Sequence, residues 1–422
     1  ITLDGSKTVS VAYPTPMAPT PLPAIVRDNV TLNGEINGDG NPDLTISCAI
    51  LATNTAPSGV LTTATTNLVS YANYGLCVGS GAVRAQNVVI EGVFVSGAAS
   101  SGSSAWVPAV WLRNGHNIKM VNSDVTNCGI GVLTSVATTA GVPDKAYIGS
   151  QTPGSECSIS NCVNAGIYTV GAGQTLVQRT TITDNGTSPG GLDPYSANVV
   201  LAGIGDNVLG GTAAGAGNTI RRASATVTSI AGSGYGVTVP GTGQNTIQNN
   251  SISDHLAPGV WICSNGVVGL PGTRTKPYPT IVGGSATNAG NTITGNGAAP
   301  ANNAAFTNHA GIWVTGLAGD DSESPNSSPY KDDYNLIQGN TITGSGGAGI
   351  FLDGPGKTRV GGVATTARNT ISNNGSLGGS NGLERSGIEI QSTGQHYGDR
   401  QHPLQTSNPN EVHANIIENN NI

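Results

Sequence analysis

Two short phrases return along this chain, and they restrict its fold more than any other feature. The first is Asn-Thr-Ile, at Asn218-Thr219-Ile220, Asn245-Thr246-Ile247, Asn291-Thr292-Ile293, Asn340-Thr341-Ile342 and Asn369-Thr370-Ile371, with a looser copy at Asn415-Ile416-Ile417. The second is Gly-Ile or Gly-Val, at Gly166-Ile167-Tyr168, Gly236-Val237, Gly259-Val260-Trp261, Gly311-Ile312-Trp313, Gly349-Ile350-Phe351 and Gly387-Ile388-Glu389. A third phrase, Leu/Val-Gly-Gly, opens at Leu209, Val282 and Val360. Each belongs to a short stretch of period two, which sends alternate side chains to opposite faces of a strand. Gly and Asn between the stretches allow the left-handed backbone of tight corners. One such circuit cannot bury its own apolar face, so circuits must stack and share a continuous core. Asn at one corner of successive circuits then forms a hydrogen-bonded ladder.

The Asn-Thr-Ile copies lie 27, 46, 49 and 29 residues apart. The short intervals read as one circuit, the long ones as a circuit plus a loop or as two circuits. No convincing helical periodicity longer than two turns competes with this pattern. The expected fold is all-β: a single right-handed parallel β-helix, a solenoid with long loops on one side. It should span residues 29–422, with Asn29-Val30-Thr31-Leu32 and Leu44-Thr45-Ile46 as entering strands. Residues 1–28 should be an extended N-terminal segment, because Pro14, Pro16, Pro19, Pro21 and Pro23 exclude a central strand there.

Composition agrees. Charged residues are 10% of the chain and aromatics 4%, with 62 Gly, so the core must be thin and built from small and β-branched side chains. A net charge of -7 without any basic stripe argues against nucleic acid as a partner. No apolar run is long enough to cross a bilayer. No leader is visible at Ile1, so we expect either a removed signal peptide or an excised segment. Cys48 and Cys77, and likewise Cys128 and Cys157, are 29 residues apart. If that is one circuit, each pair could form a disulfide between neighbouring rungs; buried thiols are the alternative. At the other terminus the repeat runs to Ile422, so the last circuit should be covered by another chain or domain.

On these phrases the chain resembles the pectate-lyase-like right-handed parallel β-helix superfamily, with its carbohydrate-binding and sugar-hydrolase repeat modules. The resemblance covers most of the chain and rests on repeat grammar, which specifies fold better than activity. It implies a secreted or cell-surface protein, since members are mostly polysaccharide lyases, glycoside hydrolases, epimerases, adhesins and phage spikes. The superfamily's familiar catalytic sets are not reproduced. Asp254-His255 lacks the accompanying aromatic and arginine pattern, and no Gly-His-Gly or Arg-Ile-Lys follows Asp320-Asp321. Lys276, Lys357 and Arg359 could act as a lyase base, but their spacing does not select them.

Long insertions follow the Gly-Ile strands, at about Ser264 to Thr280, Thr315 to Tyr334, Asp353 to Arg359 and Gln391 to Glu411. Loops on a rigid scaffold are common places for chemistry. If the strands stack in register, Trp261, Trp313, Phe351 and Glu389 form one outward column. Asp353 faces the same way, one rung and one step from Glu389. Two carboxylates so placed suit acid-base attack on a glycosidic bond. Trp261, Trp313 and Phe351 could stack on sugar rings, and His396, Asp399 and Arg400 could complete the site from the next loop. The structural alternatives are an aromatic ladder packed under a loop, a turn residue at Asp353 and a surface charge at Glu389. The acidic loop with Asp320, Asp321, Asp332 and Asp333 could supply Ca²⁺ ligands; a solvated acidic loop is the alternative. No cofactor is otherwise required.

Two functions follow. One is a secreted enzyme, a glycoside hydrolase or polysaccharide lyase, that binds polysaccharide or a cell-surface glycan in a groove of the C-terminal half. The other is a non-catalytic structural or adhesive module (a filament, surface layer or fibre) that forms homo-oligomers end to end.

Overall fold

The computed structural model describes residues 7–10, 24–34, 42–48, 74–80, 83–97, 107–136, 138–139, 142–187, 195–223, 234–241, 243–263, 279–298, 309–315, 334–353, 358–376, 386–390 and 410–420. Among them, the strands form three long sheets of 12, 11 and 10 strands, in which every pairing is parallel, and two small two-stranded sheets. Each circuit visits the long sheets in a fixed order. Ile118–Val121 lies in the 11-stranded sheet, Asp124–Thr126 in the 12-stranded sheet and Ile130–Val136 in the 10-stranded sheet, and Lys145–Ile148 then re-enters the first. Consecutive rungs are thus one strand spacing apart, roughly 4.8 Å.

Alternation builds the core. In the 12-stranded sheet the middle residue of each strand points inward, and register stacks Ile159, Ile182, Ile220, Ile252, Ile293, Ile342 and Ile371 in one column, each 0% exposed. Leu209, Ile247, Val282, Ile337 and Val360 form the matching column of the 11-stranded sheet. Each such side chain contributes roughly 1.5–3 kcal/mol by leaving water. The Leu/Val-Gly-Gly phrase marks the exit from this sheet. Gly210 has φ 87°, and a Cβ there would meet the Gln248 carbonyl oxygen at 1.8 Å, so only glycine fits.

The corners flanking the 12-stranded sheet carry the Asn residues. Before each strand runs a ladder of Asn218, Asn250, Asn291, Asn340, Asn369 and Asn415. From Asn218 to Asn369 each Nδ2 donates to the Oδ1 of the next rung at 2.9–3.1 Å. After eight of these strands stands a left-handed residue: Asn127, Asn161, Asp184, Asp254, Gly295, Gly344, Asn373 and Asn419, with φ between 52° and 68°.

The register corrects two sequence expectations. Asn245-Thr246-Ile247 lies in the 11-stranded sheet, and the true ladder neighbour of Asn218 is Asn250, so the 27-residue interval is not a circuit. The 49-residue interval between Asn291 and Asn340 is one circuit with a loop. The cysteine pairing fails for the same reason: circuits differ in length. Asp124 pairs with Ser158, which sets Cys157 beside Ser123 and aligns Cys162, not Cys157, with Cys128. Cys77, Cys128, Cys157, Cys162 and Cys263 are buried thiols, and no disulfide occurs among the described residues. The Cys77 thiol donates to the Gly79 carbonyl at 3.4 Å and that of Cys162 to the Ser160 carbonyl at 3.4 Å.

Near the N-terminus, Lys7–Ser10 already pairs with Leu44–Cys48, ahead of the boundary expected at residue 28. The five prolines from Pro14 to Pro23 lie outside the described residues.

Candidate functional site

The outer face of the 10-stranded sheet carries the candidate site. Its last four strands are Val260–Ile262, Ile312–Val314, Ile350–Leu352 and Ile388–Ile390. Their register pairs Trp261 with Trp313, Trp313 with Phe351 and Phe351 with Glu389. The flanking residues Val260, Ile262, Ile312, Val314, Ile350 and Leu352 point into the core.

The column continues through earlier rungs. Trp111, Leu133, Tyr168, Val200 and Thr238 occupy the same position, so the outer face is a second apolar layer. Trp261 and Trp313 stack with ring centroids 4.7 Å apart at 12°, and Tyr235 adds a tilted ring 4.9 Å from Trp261. The Trp261 indole N–H donates to Thr315 Oγ1 at 3.0 Å. Trp261 and Trp313 are each 7% exposed and Phe351 5%, so these rings are packed surfaces and not open platforms.

The two carboxylates meet at the C-terminal end of this column. Asp353 follows Leu352, and its backbone N–H donates to the Val314 carbonyl at 2.8 Å, which fixes its place on the rung. Phe351 stands opposite Glu389, so Asp353 and Glu389 are diagonal neighbours, with Cα atoms roughly 7–8 Å apart. Burial raises the Asp353 carboxyl above its ordinary range. The indole N–H of Trp313 pulls the other way, although it falls short of regular hydrogen-bond geometry. Glu389 is also raised, first by burial and then by the charge of Asp353, and its Oε2 is enclosed without a hydrogen-bond partner. Two half-buried carboxyls on one face, the second raised in part by the charge of the first, are the raw material of an acid-base pair.

His396, Asp399 and Arg400 lie outside the described residues, as do Asp320, Asp321, Asp332 and Asp333. Among the described residues no group of His, Cys, Asp and Glu side chains gathers as a metal site. The stretches that hold these seven residues, like those after Ile262 and Leu352, each connect the 10-stranded to the 11-stranded sheet, so they leave the scaffold at the same corner.

Other candidates take structural places. His255 is fully buried between Asn198 and Asn296, with ring hydrogen bonds of 2.9 and 2.8 Å, and burial lowers its pKa to about 4. It lies in the corner after Ser251–Ser253, where its ring bonds tie it to the buried Asn198 and Asn296. Arg359 is held by Glu411 at 2.7 Å and lies over the Tyr334 ring. Sequence reading passed over Tyr235, which precedes the Gly236-Val237 phrase by one residue; its position beside a marked strand was the available signal.

No family model matches the chain, and no curated protein matches it. Among solved structures it is similar to the Dettilon tailspike protein (gp208), with a TM-score of 0.37 and 16% identity over 81% of this chain. The match spans 62% of the tailspike chain. Three all-parallel sheets, each visited once per circuit, decide the class. The chain is a right-handed parallel β-helix. Among the described residues of this β-helix, no helix is long and apolar enough to cross a membrane.

Proposed function

We propose that this β-helix is an extracellular protein that binds and cleaves polysaccharide, with Asp353 and Glu389 as the acid-base pair. The observation that carries the reading is their coupling on one outer face: both carboxyls are raised, and Glu389 is raised in part by Asp353. At a given pH one then holds its proton for the leaving oxygen while the other is ionised to activate water or abstract a proton. Trp313 and Phe351, being covered, serve as the rigid apolar floor that fixes the two carboxyls. Trp261 supports that floor by stacking. His396, Asp399 and Arg400 would approach from the connection after Ile390, and Asp320, Asp321, Asp332 and Asp333 could hold Ca²⁺ in the connection after Val314.

The test is incubation with a panel of neutral and acidic polysaccharides, followed by reducing-end and unsaturated-uronate measurement. Product formation should fall by about 10²-fold or more in both Asp353→Asn and Glu389→Gln. Activity on any substrate that survives both substitutions would remove the pair from the mechanism.

A second reading is favoured by a different observation. On the last described rung, Ile390, Val412, Ile416 and Ile417 are 42–50% exposed, although they continue the strands of the preceding rungs. A structural or adhesive module that assembles through this end would cover them. Silence on every substrate, with concentration-dependent fibres by electron microscopy, would favour that reading.

A further inference from the structure

We propose that the outer face of the 11-stranded sheet binds a carboxylate-bearing polysaccharide strand through Lys119, Tyr147 and Lys145. This face is separate from the one that carries Asp353 and Glu389, and the proposal does not rest on that pair.

The alternation of Ile118–Val121, Lys145–Ile148 and Gln174–Val177 turns Lys119, Lys145, Tyr147, Gln174 and Leu176 outward, all half-buried. Register places Lys119 beside Tyr147, Tyr147 beside Leu176 and Lys145 beside Gln174. The Lys119 Nζ lies 5.8 Å from the centroid of the Tyr147 ring. The strip therefore crosses three rungs, roughly 10 Å, which is longer than one sugar.

Charge selects the occupant. The chain is acidic, with 17 Lys+Arg against 24 Asp+Glu, and three described arginines are held by acids: Arg84 by Asp144, Arg179 by Glu156 and Arg359 by Glu411. Lys119 and Lys145 have no such acid among the described residues. Asp144, the carboxylate nearest Lys145 in sequence, is fully buried and neutralised by Arg84, with His116 Nδ1 a further 3.5 Å away. Glu91 lies diagonal to Lys119 on this face, and Glu411, at the far end of the same sheet, is held by Arg359. Two lysines are point charges on flexible stems, which suits carboxylates spaced along a glycan better than it suits a single forked anion. Tyr147, beside Lys119, and Leu176, one rung further on, offer an apolar strip for the C–H face of a pyranose, and Gln174 can bond its hydroxyls. Covering a half-exposed tyrosine while pairing two free ammonium groups is the favourable part of the exchange.

The test is affinity electrophoresis of the full chain in gels containing alginate, dextran or dextran sulfate. Alginate should retard the protein, dextran should not, and the effect should weaken as salt rises from about 50 to about 500 mM. Lys119→Gln/Lys145→Gln should lose about tenfold or more in apparent affinity, as expected when two charge-assisted contacts disappear. The Lys119→Arg/Lys145→Arg chain should keep binding, which separates charge from any effect on folding. Absence of retardation by alginate, equal retardation by dextran, retardation by dextran sulfate alone, or undiminished binding by the glutamine variant would each overturn it.

Discussion

Replacing Asn291 by alanine tests what holds the rungs together. Asn291 is 1% exposed. Its Oδ1 accepts two hydrogen bonds of 3.0 Å from Asn250, one from the backbone N–H and one from Nδ2, while its own Nδ2 donates to the Ile247 carbonyl at 2.8 Å and to Asn340 Oδ1 at 2.9 Å. Alanine removes the acceptor and strands both Asn250 donors in a dry corner. An unsatisfied buried donor costs about 1–3 kcal/mol, so two imply a loss of about 3 kcal/mol once partial relaxation is allowed. Because a solenoid is stabilised by nearest-neighbour terms, the loss should stay local and one global melting temperature would blur it. Hydrogen exchange by peptide resolves it. Amides of Thr246–Gln248, Ser251–Ser253 and Thr292–Thr294 should exchange roughly a hundredfold faster in Asn291→Ala, whereas those of Ile118–Val121 should not change. Acceleration below about threefold, or one spread evenly over all rungs, would refute the ladder as a source of rung cohesion.

Two further predictions concern buried titratable groups. His255 takes a proton near its ordinary 6.5 when unfolded but only at about 4 when folded, so the unfolded state gains protons first and stability falls as pH drops from about 6.5 to 4. The loss approaches about 3 kcal/mol. Urea unfolding across that range should show it, and His255→Asn should flatten the His-linked part of the slope; an unaltered slope would exclude His255 as its source. The second concerns the thiols: burial pushes Cys77 and Cys157 up to about 12. Both should resist iodoacetamide at pH 8 in the native chain and react in denaturant, and dithiothreitol should leave the thermal transition in place. Native alkylation of Cys157 or a reductant-sensitive transition would contradict this.

The rung architecture was legible because its signals are local. Asn-Thr-Ile in the 12-stranded sheet and Gly-Ile in the 10-stranded sheet fix phase, and phase alone places Trp261, Trp313, Phe351 and Glu389 in one column, as the register has them. Circuit length was not legible, because a corner looks the same whether the next rung is 29 residues away, as at Asn340 and Asn369, or 49. That ambiguity put Asn245 in the wrong sheet and suggested disulfides that do not form. Cover was not legible either. Period two states which side chains leave the core but not what lies over them, so Trp313 reads as outward and is nonetheless buried. The diagonal placement of Asp353 and Glu389 follows from phase, whereas the rise in proton affinity of each carboxyl depends first on solvent exclusion, which only the assembled face supplies.

The side-chain amides beside the 12-stranded sheet all point one way, from each residue toward the one that follows it in the stack. The molecule therefore has a sense of travel as well as an axis. Each rung from Asn218 to Asn369 turns its donor to the rung that follows, whose asparagine oxygen receives it. A duplicated unit would extend this ladder only if it were inserted in the same orientation and carried the matching amide.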